Sequence, residues 1–347
     1  MKTLNLALIG FGAVGRGFVD LLQARHAYLE TQHNLRLNLI GVATARRGSL
    51  FRLDGLTLDA LSQAAESGHL NNYPTQPRLI RGLEPLTMLT RPGVDVVIEI
   101  TPTTYENNAE PAMGHIRAAL AAGKHVITAN KGPIALAYPD LMAQAAHRDV
   151  FLGFEGTVMG GTPVLRLARK GLAGCHISEL RGIVNGTTNF ILTEMESGKP
   201  YADALREAQA RGYAEADPTN DVEGFDAAGK LIILAHIIFG KALSMADIDR
   251  EGITKLTPED IQSAQANGER WKLIARAALS ADGQLSASVR PTRLPLSDPL
   301  AGVGGGVNAI TYQTDLIGAV TLTGAGAGGK ATAYALLSDL IELAEWL

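Results

Sequence analysis

An α/β chain, with a doubly wound parallel sheet first and an α+β domain after it, is predicted by three observations. The apolar run 4–9 alternates toward a buried strand and meets Gly10-Phe11-Gly12-Ala13-Val14-Gly15, a G-x-G-x-x-G turn opening a helix over residues 16–24. Further buried strands follow at 37–43, 94–100 and 125–128, the last reached through a helix over 111–122 and Gly123. At the other end, Gly324-Ala325-Gly326-Ala327-Gly328-Gly329 opens a last helix over 332–347, which brings the end of the chain back to the first domain.

With 347 residues the chain is long enough for two domains with their own cores. The expected boundaries are 1–135, completed by about 310–347, for the first domain and 136–309 for the second. A formal net charge of −4 argues against nucleic acid or an anionic membrane as main partner. There is no apolar run of about 18 residues and no signal-peptide pattern at Met1-Lys2-Thr3. The single cysteine, Cys175, cannot form an internal disulfide, so a cytoplasmic location is expected. The absence of a Cys/His cluster at ligand spacing argues against zinc.

Taken in order, the first glycine turn is the most informative local motif. Its glycines let the chain turn tightly and let backbone N–H groups of residues 10–15 approach a pyrophosphate at the positive end of the helix, which makes this a Rossmann-type dinucleotide domain. The strand 37–43 ends in Thr44-Ala45-Arg46-Arg47, where an NAD-selective domain would place an acid. Arg46 there suits a 2′-phosphate and favours NADP, although two solvated arginines on a loop would read the same way, so NAD stays open. Residues 48–92 form a long excursion, helical over 58–67, expected on the outside of the sheet. Thr101, at the carboxyl end of the strand 94–100, is a candidate cofactor contact. Lys131 lies at the end of the next strand, beside the expected place of the nicotinamide, ahead of a helix over 140–147.

The loop 151–163 carries Gly153, Gly156, Gly160 and Gly161, a pattern suited either to a tight packing bend or to a carbonyl cage for a hard cation. A strand over 180–184 then enters Asn185-Gly186-Thr187-Thr188-Asn189, followed by helices over 190–196 and 201–211. Later segments read as helix over 261–278, strands over 286–291, 309–314 and 319–324, and a flexible turn over 302–306.

Between them, the stretch 212–230 sets five acids, Glu215, Asp217, Asp221, Glu223 and Asp226, ahead of a helix whose continuation, 231–239, is apolar except for His236. Pro218, Thr219 and Asn220 make the front half a loop, and Gly224 is the last breaker. Asp226 and Lys230 fall at i and i+4, side by side with Cβ atoms roughly 6 Å apart. Poor hydration lowers a lysine pKa and an adjacent carboxylate raises it, so a lysine held between them can trade a proton.

Together these stretches closely resemble homoserine dehydrogenase over nearly the whole chain: Gly10 to Gly15, Ala129-Asn130-Lys131-Gly132-Pro133, the glycine loop from Glu155, Asn185 to Asn189, the stretch 212–230 and the final glycine turn stand in the family's order. The resemblance implies reversible oxidation of L-homoserine to L-aspartate 4-semialdehyde with NADP or NAD, on the route from aspartate to threonine and methionine. It implies Lys230 as the catalytic lysine, with Lys131 and Asp226 beside it. Glu215, Asp221, Asp226, Lys131 and Thr187 would bind substrate. Gly10, Phe11, Gly12, Ala13, Val14, Gly15, Arg46, Thr101, Lys131, Gly212 and Gly328 would contact the cofactor. Glu155, Val158, Gly160 and Thr162 match a monovalent cation site for sodium or potassium. A homodimer formed through the second domain is implied as well. Longer members carry a regulatory domain or a fused kinase, so this short form is expected to lack threonine feedback.

Overall fold

Buried valine, leucine and isoleucine side chains define the strands of the first sheet in the computed structural model, which describes residues 1–347. The chain divides into two units, Met1–Thr157 with Gly328–Leu347, and Val158–Ala327.

In the first unit the elements run β1 (Lys2–Ile9), α1 (Ala13–His33), β2 (Leu35–Ala43), β3 (Ser49–Phe51), α2 (Leu58–Glu66), β4 (Ile80–Arg81), α3 (Pro85–Leu89), β5 (Val96–Glu99), α4 (Ala112–Ala121), β6 (His125–Thr128), α5 (Lys131–His147) and β7 (Leu152–Gly153). The sheet order is β4-β3-β2-β1-β5-β6-β7, with β2, β1, β5, β6 and β7 parallel. Strand order reverses between β1 and β5, the switch point at which open α/β sheets bind ligands. Part of the excursion 48–92 joins the sheet: β3 pairs antiparallel with β2, and β4 with β3, so that segment extends the edge instead of only covering a face.

The last helix, Gly329–Trp346, returns to this unit. Its Ala333, Leu336, Leu337, Leu340 and Leu343 share one core with Leu6, Leu8, Phe18 and Leu22. Gly17 lets it approach α1: a Cβ there would stand 3.1 Å from the Gly329 carbonyl oxygen.

The second unit runs α6 (Val164–Arg166), β8 (Ile177–Ile183), α7 (Gly186–Glu196), α8 (Tyr201–Ala210), α9 (Thr219–Val222), α10 (Phe225–Leu234), β9 (Asp249–Arg250), α11 (Pro258–Ala266), β10 (Glu269–Leu279), β11 (Leu285–Pro295), β12 (Val307–Thr314) and β13 (Gly318–Ala325). Its sheet order is β13-β12-β8-β10-β11-β9, antiparallel except for β9 against β11. Helices α7, α10 and α11 all pack on β10.

Three expectations need correcting. The helix over 261–278 is two elements: α11 ends at Ala266, Gly268 takes φ +69, and 269–279 is strand β10. Glu269-Arg270-Trp271-Lys272-Leu273-Ile274-Ala275-Arg276-Ala277 has helix-compatible residues, but full-length pairing with β11 and flanking pairing with β8 outweigh that weak preference. Helix α5 begins at Lys131, not near 140, because the Asn130 side chain caps it by accepting the Gly132 N–H. It kinks at Ala137, two residues before Pro139. The units also end elsewhere than at 135 and 310: β7 pairs with β6 and keeps 136–157 in the first, while β12 and β13 belong to the second unit's sheet.

Candidate functional site

In the first unit, the glycine turn after β1 has the shape an anionic cofactor needs. Gly10 takes φ +104, and a Cβ there would lie 2.6 Å from the Ile100 carbonyl oxygen, so the end of β1 presses directly on the end of β5. Gly12 meets nothing within 4 Å, leaving the approach to the α1 N-terminus open, and Gly15 packs under Phe11 and Ile100. No side chain caps α1 and no acid occupies its first turn, so its leading N–H groups are left for an anion. Phe11 and Gly15 are buried, Val14 is half-buried, and Gly12 and Ala13 are exposed. These residues fit a dinucleotide pyrophosphate.

Beyond β2, Thr44 closes a turn by donating to the Gly48 carbonyl at 2.9 Å and accepting the Arg47 N–H at 2.8 Å. Arg46 stands exposed on this turn. Thr101 and Lys131 follow the ends of β5 and β6, as the spacing predicts. A Cβ on Gly132 would lie 2.1 Å from the Thr104 carbonyl oxygen, so the loop after β5 is seated on the start of α5. Gly328, with φ +117 and open space at its Cβ position, caps the returning helix.

In the second unit, Lys230 is 7% exposed on α10. Its Nζ donates to the Val184 carbonyl at 2.6 Å and lies 2.7 Å from Asp226 Oδ2. Asn185 caps α7 by accepting the Thr188 N–H at 2.9 Å, which frees its amide nitrogen to donate to Asp221 Oδ1 at 2.7 Å and Asp226 Oδ2 at 2.9 Å. Thr187, next along α7, donates to the Tyr213 carbonyl at 2.7 Å. Burial and then the neighbouring Asp226 charge push the Asp221 carboxyl above the ordinary range, against the pull of Asn185, Lys230 and Thr187. Two carboxylates and an ammonium thus share one small, poorly hydrated volume, able to hold a substrate ammonium and to pass a proton.

The remaining acids part company with that group. Asp217 is exposed and accepts from Thr219, and Glu223 accepts from Thr254 at 2.8 Å. Glu215 and Gly212 are exposed on the loop before α9, Gly212 with φ +75. Asn185, which joins Asp221 to Asp226, escaped the sequence reading as a site residue. Its signal was an asparagine between a strand and a helix followed by Gly-Thr-Thr, a cap pattern.

The residues offered for a cation lie along one run of chain. Glu155, in the first unit, is buried, and its N–H donates to Asp339 Oδ2 at 3.0 Å. In the second, Val158 and Thr162 are buried, the Thr162 hydroxyl donates to the Ala325 carbonyl at 3.0 Å, and Met159 and Gly160 turn the chain with φ +56 and +54.

Comparison with known proteins gives a consistent result. A family model described as "Homoserine dehydrogenase, NAD binding domain" matches residues 10–155, and one described as "Homoserine dehydrogenase" matches 163–341. The chain is 42% identical to the NAD(+)-dependent homoserine dehydrogenase of Pseudomonas canavaninivorans over 346 residues, 99% of this chain and 97% of that protein. It is 38% identical to the homoserine dehydrogenase of Methanocaldococcus jannaschii, covering 98% of each. Among solved structures, a hyperthermophilic archaeal homoserine dehydrogenase in complex with NADPH aligns with a TM-score of 0.83 at 30% identity, covering 100% of this chain and 99% of that one. A homoserine dehydrogenase from Thiobacillus denitrificans aligns with a TM-score of 0.84 at 35% identity, covering 99% and 74%.

Proposed function

The chain belongs to the homoserine dehydrogenase family, NAD(P)-dependent oxidoreductases, and from that premise we propose that Lys230 moves the proton of the reaction while Asp226 and Asp221 receive the substrate ammonium. The observation that carries this is the placement of Lys230 Nζ between Asp226 Oδ2 and the Val184 carbonyl, buried and within one hydrogen-bonded group with Asn185 and Asp221.

Oxidation of L-homoserine to L-aspartate 4-semialdehyde removes a hydride from carbon and a proton from oxygen. The nicotinamide, when bound, takes the hydride. The hydroxyl proton needs an acceptor, and Lys230, buried beside Asp226, is placed to take it in one direction and return it in the other. Glu215 adds a further acceptor for the ammonium and Thr187 a hydroxyl at its edge. Lys131, following β6, is the second lysine of the proposal, offered as a substrate and nicotinamide contact.

For the cofactor, Gly10 to Gly15 cradle the pyrophosphate, and Thr101, Gly212 and Gly328 make further contacts. NADP is the favoured form, supported by the exposed Arg46 and the lack of an acid at the end of β2. Sodium or potassium bound by Glu155, Val158, Gly160 and Thr162 completes the proposal. The protein acts as a homodimer in the cytoplasm, on the route from aspartate to threonine and methionine; no helix is long and apolar enough to cross a membrane.

The test is a spectrophotometric assay of the purified protein with aspartate semialdehyde and each reduced cofactor, and with homoserine and each oxidised one. Turnover dependent on both partners is expected. Cofactor binding without homoserine-dependent reduction would remove the reading.

A further inference from the structure

Glu99 is a carboxylate with 0% exposure in the middle of a parallel sheet, at the end of β5, where Val96, Val97 and Ile98 before it are all buried and apolar. Burying a carboxylate is costly unless its hydrogen bonds are made, and an aliphatic residue would continue the strand without that cost. Its Oε1 accepts the Thr101 N–H at 3.2 Å and also the Thr101 hydroxyl, with His115 Nδ1 at 3.5 Å. The carboxylate therefore folds back over its own strand end and engages both hydrogen-bond donors of Thr101.

The strand end is tied to α5 as well, by the main chain at Glu99 and, beyond the carboxylate, by Thr101. The Glu99 carbonyl accepts the Thr128 hydroxyl at 2.9 Å, and Thr128 Oγ1 accepts the Asn130 N–H at 2.9 Å. The Asn130 amide donates to the Thr101 carbonyl at 3.1 Å, and its oxygen caps α5 at Gly132. Lys131 lies between those two anchored residues. A continuous hydrogen-bonded chain thus ties the turn after β5 to the start of the helix that carries Lys131. Because Gly10 presses on Ile100 and Thr101, the register of that turn is also the register of the glycine cradle.

We propose that Glu99 is a positioning residue for cofactor binding, acting through Thr101 on the strand-end turn and through Asn130 on Lys131. This rests on the reading that Thr101 and Lys131 face the cofactor, and it adds a residue that touches neither cofactor nor substrate.

The experiment measures direct binding of NADP and of NAD to the whole protein by titration calorimetry, beside the melting temperature without ligand. Glu99→Ala is expected to weaken binding by about tenfold or more, the scale of a lost charge-assisted hydrogen bond, and Glu99→Gln, which keeps an acceptor for Thr101, to recover to within about threefold of the parent. A double-mutant cycle with Thr101→Val should give a combined loss smaller than the product of the two single losses. Where Glu99→Ala does not fold, Glu99→Asp keeps the carboxyl group but draws it away from Thr101, and is expected to bind more weakly in the same way. A lower melting temperature with cofactor affinity unchanged in every folded variant overturns the proposal, and so do strictly multiplicative losses in the cycle. Because binding is read without homoserine, a parent protein that binds NADP yet does not oxidise homoserine would sink the functional reading and leave this measurement standing.

Discussion

Lys230 Nζ lies 2.7 Å from Asp226 Oδ2, one turn along the same face of α10, with both side chains largely withdrawn from solvent. A pair this secluded differs from a surface ion pair, because burial makes the loss of one partner costly to the other. Lys230→Ala is expected to lower turnover by roughly 10² to 10⁴ with cofactor binding nearly intact, since general acid–base groups supply about that factor. Lys230→Arg should fail almost as badly, as a guanidinium cannot accept the hydroxyl proton. Steady-state rates beside cofactor titrations check this. Near-full turnover in Lys230→Ala, with loss in Lys131→Ala, would move the catalytic role to Lys131.

Asp221 carries an opposite expectation for stability and for function. Burial and the Asp226 charge raise its pKa, so the native state holds this proton more readily than the unfolded chain. The contribution to stability therefore falls as pH rises from the unfolded carboxylate value through the raised native one. Asp221→Asn should raise Tm by about 2 to 4 °C near neutrality, the shift of roughly 1 kcal/mol in a unit of this size, and the gain should shrink in acid. The same replacement should raise KM for homoserine about tenfold by removing an ammonium acceptor. Melts across pH and kinetics on one preparation decide both halves.

Replacing Arg46 and Arg47 by alanine tests cofactor choice. Loss of a charge-assisted contact to a 2′-phosphate is worth about 1.5 to 3 kcal/mol, so NADP should bind at least about tenfold more weakly while NAD changes little. Equal losses for the two would show that neither arginine reads the phosphate.

For the cation, turnover and Tm should rise with sodium or potassium relative to a bulky organic cation at equal ionic strength. Ordinary screening affects such salts alike, so the difference isolates specific binding. Identical behaviour in all three would return the 155–162 run to a packing role.

Local spacing made some of this architecture legible. The glycine turn and its flanking strand and helix lie within a few residues of one another, and Asp226 meets Lys230 because i and i+4 are neighbours on any helix. Asn185 stands 36 and 41 residues from the two carboxylates it joins, a relationship created only when α7 meets α9 and α10. Strand β10 was hidden for a related reason: its residues suit a helix, and the partners that make them a strand lie on β8 and β11. The extent of the first unit was misplaced because β7, two residues long, has almost no pattern of its own.

The return of the helix Gly329–Trp346 to the core of the first unit has a consequence for the order of biosynthesis. Leu6, Leu8, Phe18 and Leu22 leave the ribosome early but keep an uncovered apolar face until Leu336, Leu340 and Leu343 arrive, more than 300 residues after Leu22. The second unit, Val158–Ala327, is continuous in the chain and can close first. Part of the first unit's core thus stays uncovered until the end of synthesis, and a stop codon placed just before Gly329 is expected to lower the yield of soluble protein however intact its glycine turn.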